Sequence, residues 1–352
     1  MKYKIKIEER MIGDEELIFI IAEAGINHNG EIEMAKKLII AAAKAGADAV
    51  KFQTFSADKL VSRKLRPKAY DLFKSLSLKR ADYKELFHIA NEERIMFLST
   101  PFDEESARFL AELGVKAMKI ASGDITNLPF LSYVGLLCLP VILSTGASNI
   151  TEVSEAVETL ICCRVGQFWN NLVLLHCVSS YPAPLSELNL NVIENMKRIF
   201  NVPIGFSDHT TNDYVPLLAL AKGACLIEKH FTLDKNMKGP DQKLSLDPQE
   251  MAQMIKKIRE AEKCFGSPYN KETQLSEMAI RTEARKSVVV TQDIKSGTII
   301  TKEMLSLKRP GIGLSPKFID NVVGKAAQRD IQEGEIITTG MILKMFKESF
   351  KE

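Results

Sequence analysis

The order of apolar and polar positions changes character once along this chain. Between residue 18 and about residue 265, short apolar runs alternate with amphipathic stretches of helical spacing. The runs cover residues 18–24, 49–54, 95–99, 117–121, 141–144, 172–177, 203–206 and 225–227. The stretches between and after them, 31–45, 82–93, 103–113, 129–136, 151–162, 191–200, 214–222 and 248–265, read as helices, with Asp82 and Thr151 as N-caps. Strict alternation of strand and helix implies a parallel sheet. Eight such units in about 250 residues fit a closed (β/α)8 TIM barrel of the α/β class better than an open doubly wound sheet.

A barrel of this kind carries its chemistry just past the C-terminal ends of its strands, and polar residues gather there. In chain order they are Glu23, Asn27 and His28; Lys51 and Gln53; Ser99 and Thr100; Lys119 and Ser122; Ser144 and Thr145; His176 and Tyr181; Asp208 and His209; Glu228 and His230. Four of the five histidines fall in this set, and His88, inside a helix, is the exception.

The pattern breaks after residue 265. Residues 266–283 are polar, with Gly, Ser, Pro and Asn, and read as a linker between a barrel domain at 1–265 and a second domain at 284–352. There the β-like runs return without long helices. Asp293-Ile-Lys-Ser-Gly297 and Asp330-Ile-Gln-Glu-Gly334 are similar phrases, each followed by an isoleucine pair. The reading is a small β-rich domain with a repeated turn and little core of its own, expected to lean on a neighbour.

Composition narrows the function. The chain has 352 residues, 45% apolar and 26% charged, with formal net charge +2. That balance provides no global field for nucleic acid. The charged N-terminal stretch lacks the apolar segment of a signal peptide, and no apolar run approaches the ~20 residues of a membrane span. The expectation is a cytoplasmic protein with neither nucleic-acid nor membrane partners. Six cysteines without a CxxC pair fit free thiols in a reducing compartment. Residues 55–81 hold eight Lys/Arg against one acid between residues 59 and 80. They read either as a solvated surface or as a cationic lid for an anionic substrate.

Several strand ends carry candidate chemistry. His209 and His230 close two successive strands, and two such imidazoles read either as ligands of a divalent metal or as unrelated polar histidines. Lys51 and Lys119 end two other strands. With Thr100, Ser122 and Ser144 they suit a phosphate or carboxylate, and a salt bridge from Lys51 to Glu23 or Glu228 is the alternative. Glu23 is a candidate general base or a counter-ion for Lys51. Tyr181 offers a phenol in a proline-stiffened loop, and Asp241 either binds sugar hydroxyls or caps a turn.

The ordered motifs AEAGINHNG, KFQT, LSTPFD, KIASGD, LSTG, HCVSSYPAP, GFSDHT, EKHFTLDKNMKGPD and SVVVTQDIKSG…KRPGIG strongly resemble the sialic acid synthase family, from about residue 18 to about residue 338. The resemblance implies a barrel followed by an antifreeze-like (SAF) domain. It implies condensation of phosphoenolpyruvate with an N-acetylated hexosamine, either N-acetylmannosamine or a 6-deoxy diacetamido analogue, to a nonulosonic acid. It also implies a divalent metal at His209 and His230, Mn2+ first, with Mg2+ or Co2+ as alternatives. By the same matching Glu23 is catalytic. Lys51, Thr100, Lys119, Ser122, Ser144 and Ser207 bind phosphoenolpyruvate, and Gln53, Tyr181 and Asp241 face the amino sugar. The family's homodimer is domain-swapped, which implies that Arg309 reaches the sugar in the partner's site.

Three departures fall on the sugar side: Gln242 after Gly-Pro-Asp241, Ser179, and the basic stretch 55–81. They leave the acceptor open, with a legionaminate-type or a spore-coat polysaccharide synthase as alternatives. Two rival readings remain. One is a non-catalytic carbohydrate-binding relative, which has no need of both a metal site and a phosphate pocket. The other is an aldol synthase acting on a sugar phosphate, which needs a second phosphate site that no Gly-rich loop supplies.

Overall fold

The computed structural model describes residues 3–162, 171–266 and 271–342. They form two compact units, Met1–Gly266 and Ser267–Glu352.

The first unit opens with a hairpin that the sequence pattern did not reveal. β1 (Lys4–Ile7) pairs antiparallel with β2 (Arg10–Gly13). Eight parallel strands follow: β3 (Phe19–Gly25), β4 (Ala49–Thr54), β5 (Met96–Pro101), β6 (Met118–Ile120), β7 (Val141–Ser144), β8 (Leu172–Cys177), β9 (Ile204–Asp208) and β10 (Leu226–His230). Their spatial order is β5-β4-β3-β10-β9-β8-β7-β6. β5 and β6, at the ends of that order, lie side by side and bring the ring to near closure. The unit is thus a TIM-like barrel.

The helices are α1 (Ile32–Ala45), α2 (Ala57–Leu60), α3 (Pro67–Leu76), α4 (Arg80–Glu92), α5 (Glu104–Leu113), α6 (Leu128–Leu136), α7 (Ile150–Cys162), α8 (Val192–Phe200), α9 (Val215–Ala221) and α10 (Pro248–Phe265). Local chemistry sets their ends. Asp103 caps α5 by accepting from the Ser106 amide at 3.0 Å, and Asp247 and Glu250 form a reciprocal capping box on α10. α2 and α3 occupy the basic stretch 55–81. Tyr70, Phe73 and Leu76 recur there at helical spacing beneath the cations.

Because strand side chains alternate, the barrel has an outer core against the helices and an inner one. Ile20, Ala22, Val50 and Phe52 pack outward with Leu38, Ile39 and Leu86. Phe19, Ile21, Leu98, Ile142, Val173 and Leu175 fill the interior, together with Ile5, Ile7 and Ile12 of the hairpin. The hairpin therefore plugs the N-terminal end. Each buried isoleucine contributes on the order of 2 kcal/mol of burial free energy. The C-terminal end is left for chemistry.

In the second unit, α11 (Met278–Ala284) occupies part of the stretch read as linker. β11 (Ser287–Val290) pairs antiparallel with β12 (Leu305–Lys308), and α12 spans Ile319–Val322. The two similar phrases face each other across a local two-fold. Ile294 and Ile331 exchange both backbone hydrogen bonds at 2.8 Å. Asp330 accepts from the Ser296 amide at 2.9 Å, and Asp293 accepts from the Glu333 amide at 2.8 Å. Val288, Val290, Ile294, Ile300, Ile331 and Ile337 form the core of this unit. The expected residues 343–352 of this domain lie outside the described residues, as does Cys163; the other five cysteines are free thiols. No described helix is long and apolar enough to cross a membrane.

Candidate active site

Parallel register sets the site level by level. Glu23 of β3 stands opposite Lys51 of β4 and His230 of β10, Gln53 opposite Thr100, and Ser207 opposite Glu228. Lys51 Nζ lies 2.8 Å from Glu23 Oε2, donates to Thr100 Oγ1 at 3.0 Å and lies 3.7 Å from Glu228 Oε2. Lys119 Nζ donates to Ser144 Oγ at 2.6 Å and lies 3.9 Å from the same Glu228 oxygen. Ser207 Oγ donates to Glu228 Oε1 at 3.0 Å. Glu228 is thus the centre of a buried net of two ammonium groups and two carboxylates. Its Oε2, though fully buried, has no hydrogen-bond partner.

The charges in this net are unequal. Burial pushes the Glu23 carboxyl up to about 7; Lys51 pulls against that and Glu228 adds to it. Burial acts on Glu228 in the same sense, but Lys119 and Lys51 outweigh it and hold this carboxyl at about 2. Burial also depresses Lys119, whereas for Lys51 the two carboxylates overcome burial and raise it. Near neutrality Glu228 is the fixed anion and Glu23 exchanges a proton, the property a general base requires.

The hydroxyl groups complete one wall. Ser122 Oγ accepts from the Gly146 amide at 2.9 Å and lies 3.2 Å from Cys177 Sγ. A Cβ at position 146 would stand 2.2 Å from Ser179 Oγ, so only glycine allows these hydroxyls to converge.

His209 and His230 face each other with ring centroids 5.4 Å apart. The Tyr181 ring lies 4.3 Å from the first and 5.8 Å from the second. His209 Nδ1 is 2.9 Å from the Val178 carbonyl. A carbonyl only accepts, so Nδ1 carries the proton and Nε2 keeps a free lone pair. Burial lowers both imidazoles below their ordinary value and keeps them neutral, as metal ligands must be. His230 Nδ1 is buried without a hydrogen-bond partner, 3.9 Å from Asp241 Oδ2. These donors fit a divalent cation. Among the described residues no group of three or more His, Cys, Asp or Glu is arranged to hold one. The pair would therefore leave coordination positions to other ligands.

One cavity of about 430 Å³ joins all of this. Glu23, Lys51, Thr100, Lys119, Ser122, Ser144 and Ser207 line it, and so do Gln53, Tyr181, Asp241, His209 and His230. Arg309 belongs to the second unit, exposed just after β12. Gln242 differs from the sequence reading: it does not touch the cavity. It is fully buried, donates to the Asn27 carbonyl at 3.1 Å and is hydrogen-bonded to the Thr232 hydroxyl. It braces the loop that carries Asp241. His28 and His176 are also internal braces, the first accepting from the Gly30 amide at 3.0 Å and the second 2.7 Å from the Leu188 carbonyl.

Sequence reasoning gave no role to Glu228 beyond a salt bridge with Lys51. The i, i+2 spacing from Glu228 to His230, which puts both on one strand face, was the available signal. It also missed Ile26, Leu72, Phe73 and Phe102, which give the cavity an apolar rim. None of the cations in residues 55–81 lines the cavity.

Comparison with known proteins gives the family in which this barrel and cavity occur. Residues 38–270 match the NeuB family and residues 285–343 match the SAF domain. The chain belongs to the NeuB family. It is 43% identical over 334 residues to the N,N'-diacetyllegionaminic acid synthase of Legionella pneumophila, covering 92% of this chain and 94% of that protein. It is 44% identical over 330 residues to the enzyme of the same name from Campylobacter jejuni, covering 90% and 98%. The crystal structure of the N-acetylneuraminic acid (sialic acid) synthetase from Leptospira borgpetersenii, in complex with citrate, superposes with a TM-score of 0.75 at 35% identity, covering 80% of this chain and 95% of that one.

Proposed function

We propose that this enzyme condenses phosphoenolpyruvate with an N-acetylated hexosamine and water, giving a nonulosonic acid and inorganic phosphate. One observation carries the reading. Two buried lysines, the hydroxyls of Thr100, Ser122, Ser144 and Ser207, and a carboxyl poised near neutrality converge with two neutral histidines in a single cavity. The relatives' names, two of them N,N'-diacetyllegionaminic acid synthases, favour a 6-deoxy diacetamido hexose over N-acetylmannosamine as acceptor.

In this mechanism Lys51, Lys119, Thr100, Ser122, Ser144 and Ser207 bind the phosphate and carboxylate of phosphoenolpyruvate by charge-assisted hydrogen bonds. Binding replaces part of the lysines' pairing with Glu23 and Glu228. Gln53, Tyr181 and Asp241 hold the sugar with its aldehyde over the enol carbon, so that the two carbons meet at near-attack distance. A divalent cation at His209 and His230, Mn2+ first, would supply Lewis-acid polarisation of the aldehyde oxygen. The enol carbon attacks the aldehyde carbon; the carbonyl π pair moves to the aldehyde oxygen, which takes a proton from water to become a hydroxyl, and cationic character develops at the carbon bearing the phosphate ester. Glu23 takes a proton from a water as its oxygen adds there. The tetrahedral intermediate then expels phosphate by breaking the carbon–oxygen bond. A domain-swapped homodimer, with Arg309 on the partner's sugar, completes the reading. Phosphate release from phosphoenolpyruvate, measured with N-acetylated hexosamines and with and without Mn2+, tests it; no release with any acceptor removes it.

A further inference from the structure

Helix α3 has no task in this mechanism. Its stretch of chain is cationic, yet it offers the cavity only Leu72 and Phe73. Phe73 is locked in place: its ring meets Phe55 edge-on at 5.4 Å, and Phe55 meets Phe102 at 6.2 Å. Leu72 stands beside it and remains 45% exposed, an apolar side chain at the mouth with one face open. The cavity's ammonium groups, Lys51 and Lys119, are at its buried end and engaged by Glu23, Thr100 and Ser144. The mouth under α3 therefore presents hydrocarbon and no cation. A phosphate or a hydroxyl placed against Leu72 would gain no partner from it, whereas a methyl group would cover part of its open face.

We infer that Leu72, backed by Phe73, is a specificity-determining residue that receives a methyl group of the acceptor, from the deoxy carbon or from the second acetamido group, neither of which N-acetylmannosamine has. It disfavours a hydroxyl or a phosphate at the same position. This inference rests on the condensation reading. The test compares kcat/KM for three acceptors: a 6-deoxy diacetamido hexose, N-acetylmannosamine and its 6-phosphate. The wild type favours the deoxy sugar. Leu72→Ser lowers the deoxy-to-hydroxy ratio roughly tenfold, the scale of one lost apolar contact in a specificity pocket, and leaves the KM for phosphoenolpyruvate in place. Leu72→Met keeps the wild-type ratio. So does Leu65→Ser, a change at a 77% exposed position of the same stretch outside the cavity lining. An unchanged ratio in Leu72→Ser, or a wild-type preference for the 6-phosphate, overturns the inference alone. Failure of all three acceptors to release phosphate overturns the condensation reading and the inference with it.

Discussion

Lys229 Nζ and Asp208 Oδ2 are 2.7 Å apart, and neither side chain is exposed to solvent. The lysine also donates to the Thr210 carbonyl at 2.5 Å and the Asn212 carbonyl at 3.2 Å. It lies on the opposite strand face from Glu228 and His230 and ties the end of β10 to the loop that carries His209. The spacing of the two histidines is thus held from behind by a buried ion pair.

Breaking that pair leaves an uncompensated buried carboxylate. Lys229→Met is expected to cost about 3–5 kcal/mol of stability, read as a lowered denaturation midpoint at unchanged slope. A loss below about 1 kcal/mol would show that the pair is not holding this region.

Glu23→Gln keeps the shape of the site and removes the proton acceptor. Turnover is expected to fall by about 10²–10⁴-fold while calorimetric titration still detects phosphoenolpyruvate binding. Near-normal phosphate release in this variant would contradict the role given to Glu23.

Protonation of Glu23 also couples to stability. Its folded value of about 7 lies above the ordinary carboxyl value of 4.5, so the folded state binds the proton more tightly than the unfolded chain. The stabilisation from that proton is complete below pH 4.5 and is lost as pH rises through about 7. Glu23→Gln cannot lose it. Melting curves of the metal-free proteins should therefore show the variant gaining on the wild type between pH 4.5 and 8. A pH-independent difference would refute the raised carboxyl.

The local two-fold of the second unit makes a symmetric prediction. Asp293 and Asp330 each accept one backbone amide of the other's turn. Each Asp→Ala change should lower the denaturation midpoint of this unit by a similar, small amount. Asp330 should lose slightly more, because it also accepts from Lys295 at 2.8 Å on the exposed surface. Loss at only one site, in separate denaturation curves, would rule out equivalent turns.

The barrel was legible because its strands are continuous apolar runs; every residue of Phe19–Gly25 is buried. The site was legible because barrel chemistry follows strand ends. The hairpin was not, because Lys4, Lys6 and Arg10 make its stretch look like a charged tail. Yet Ile5 and Ile7 already alternate with those lysines, the period-two signal of a strand with one buried face. Helix α3 was hidden in the same way, its apolar stripe masked by the cations of residues 55–81. Gln242 misled for a different reason. Sequence adjacency to Asp241 suggested a shared ligand, but the short helical turn Gln242–Leu244 rotates the amide into the protein.

The central claim is that phosphate leaves by breaking the carbon–oxygen bond after water has added to the former enol carbon. Phosphoenolpyruvate labelled with 18O in its bridging oxygen, incubated with enzyme, Mn2+ and a 6-deoxy diacetamido hexose, tests it directly by mass spectrometry of both products. The account predicts that the label leaves with inorganic phosphate and that the nine-carbon acid carries none of it. Label retained in the acid would mean cleavage between phosphorus and oxygen and would contradict the mechanism.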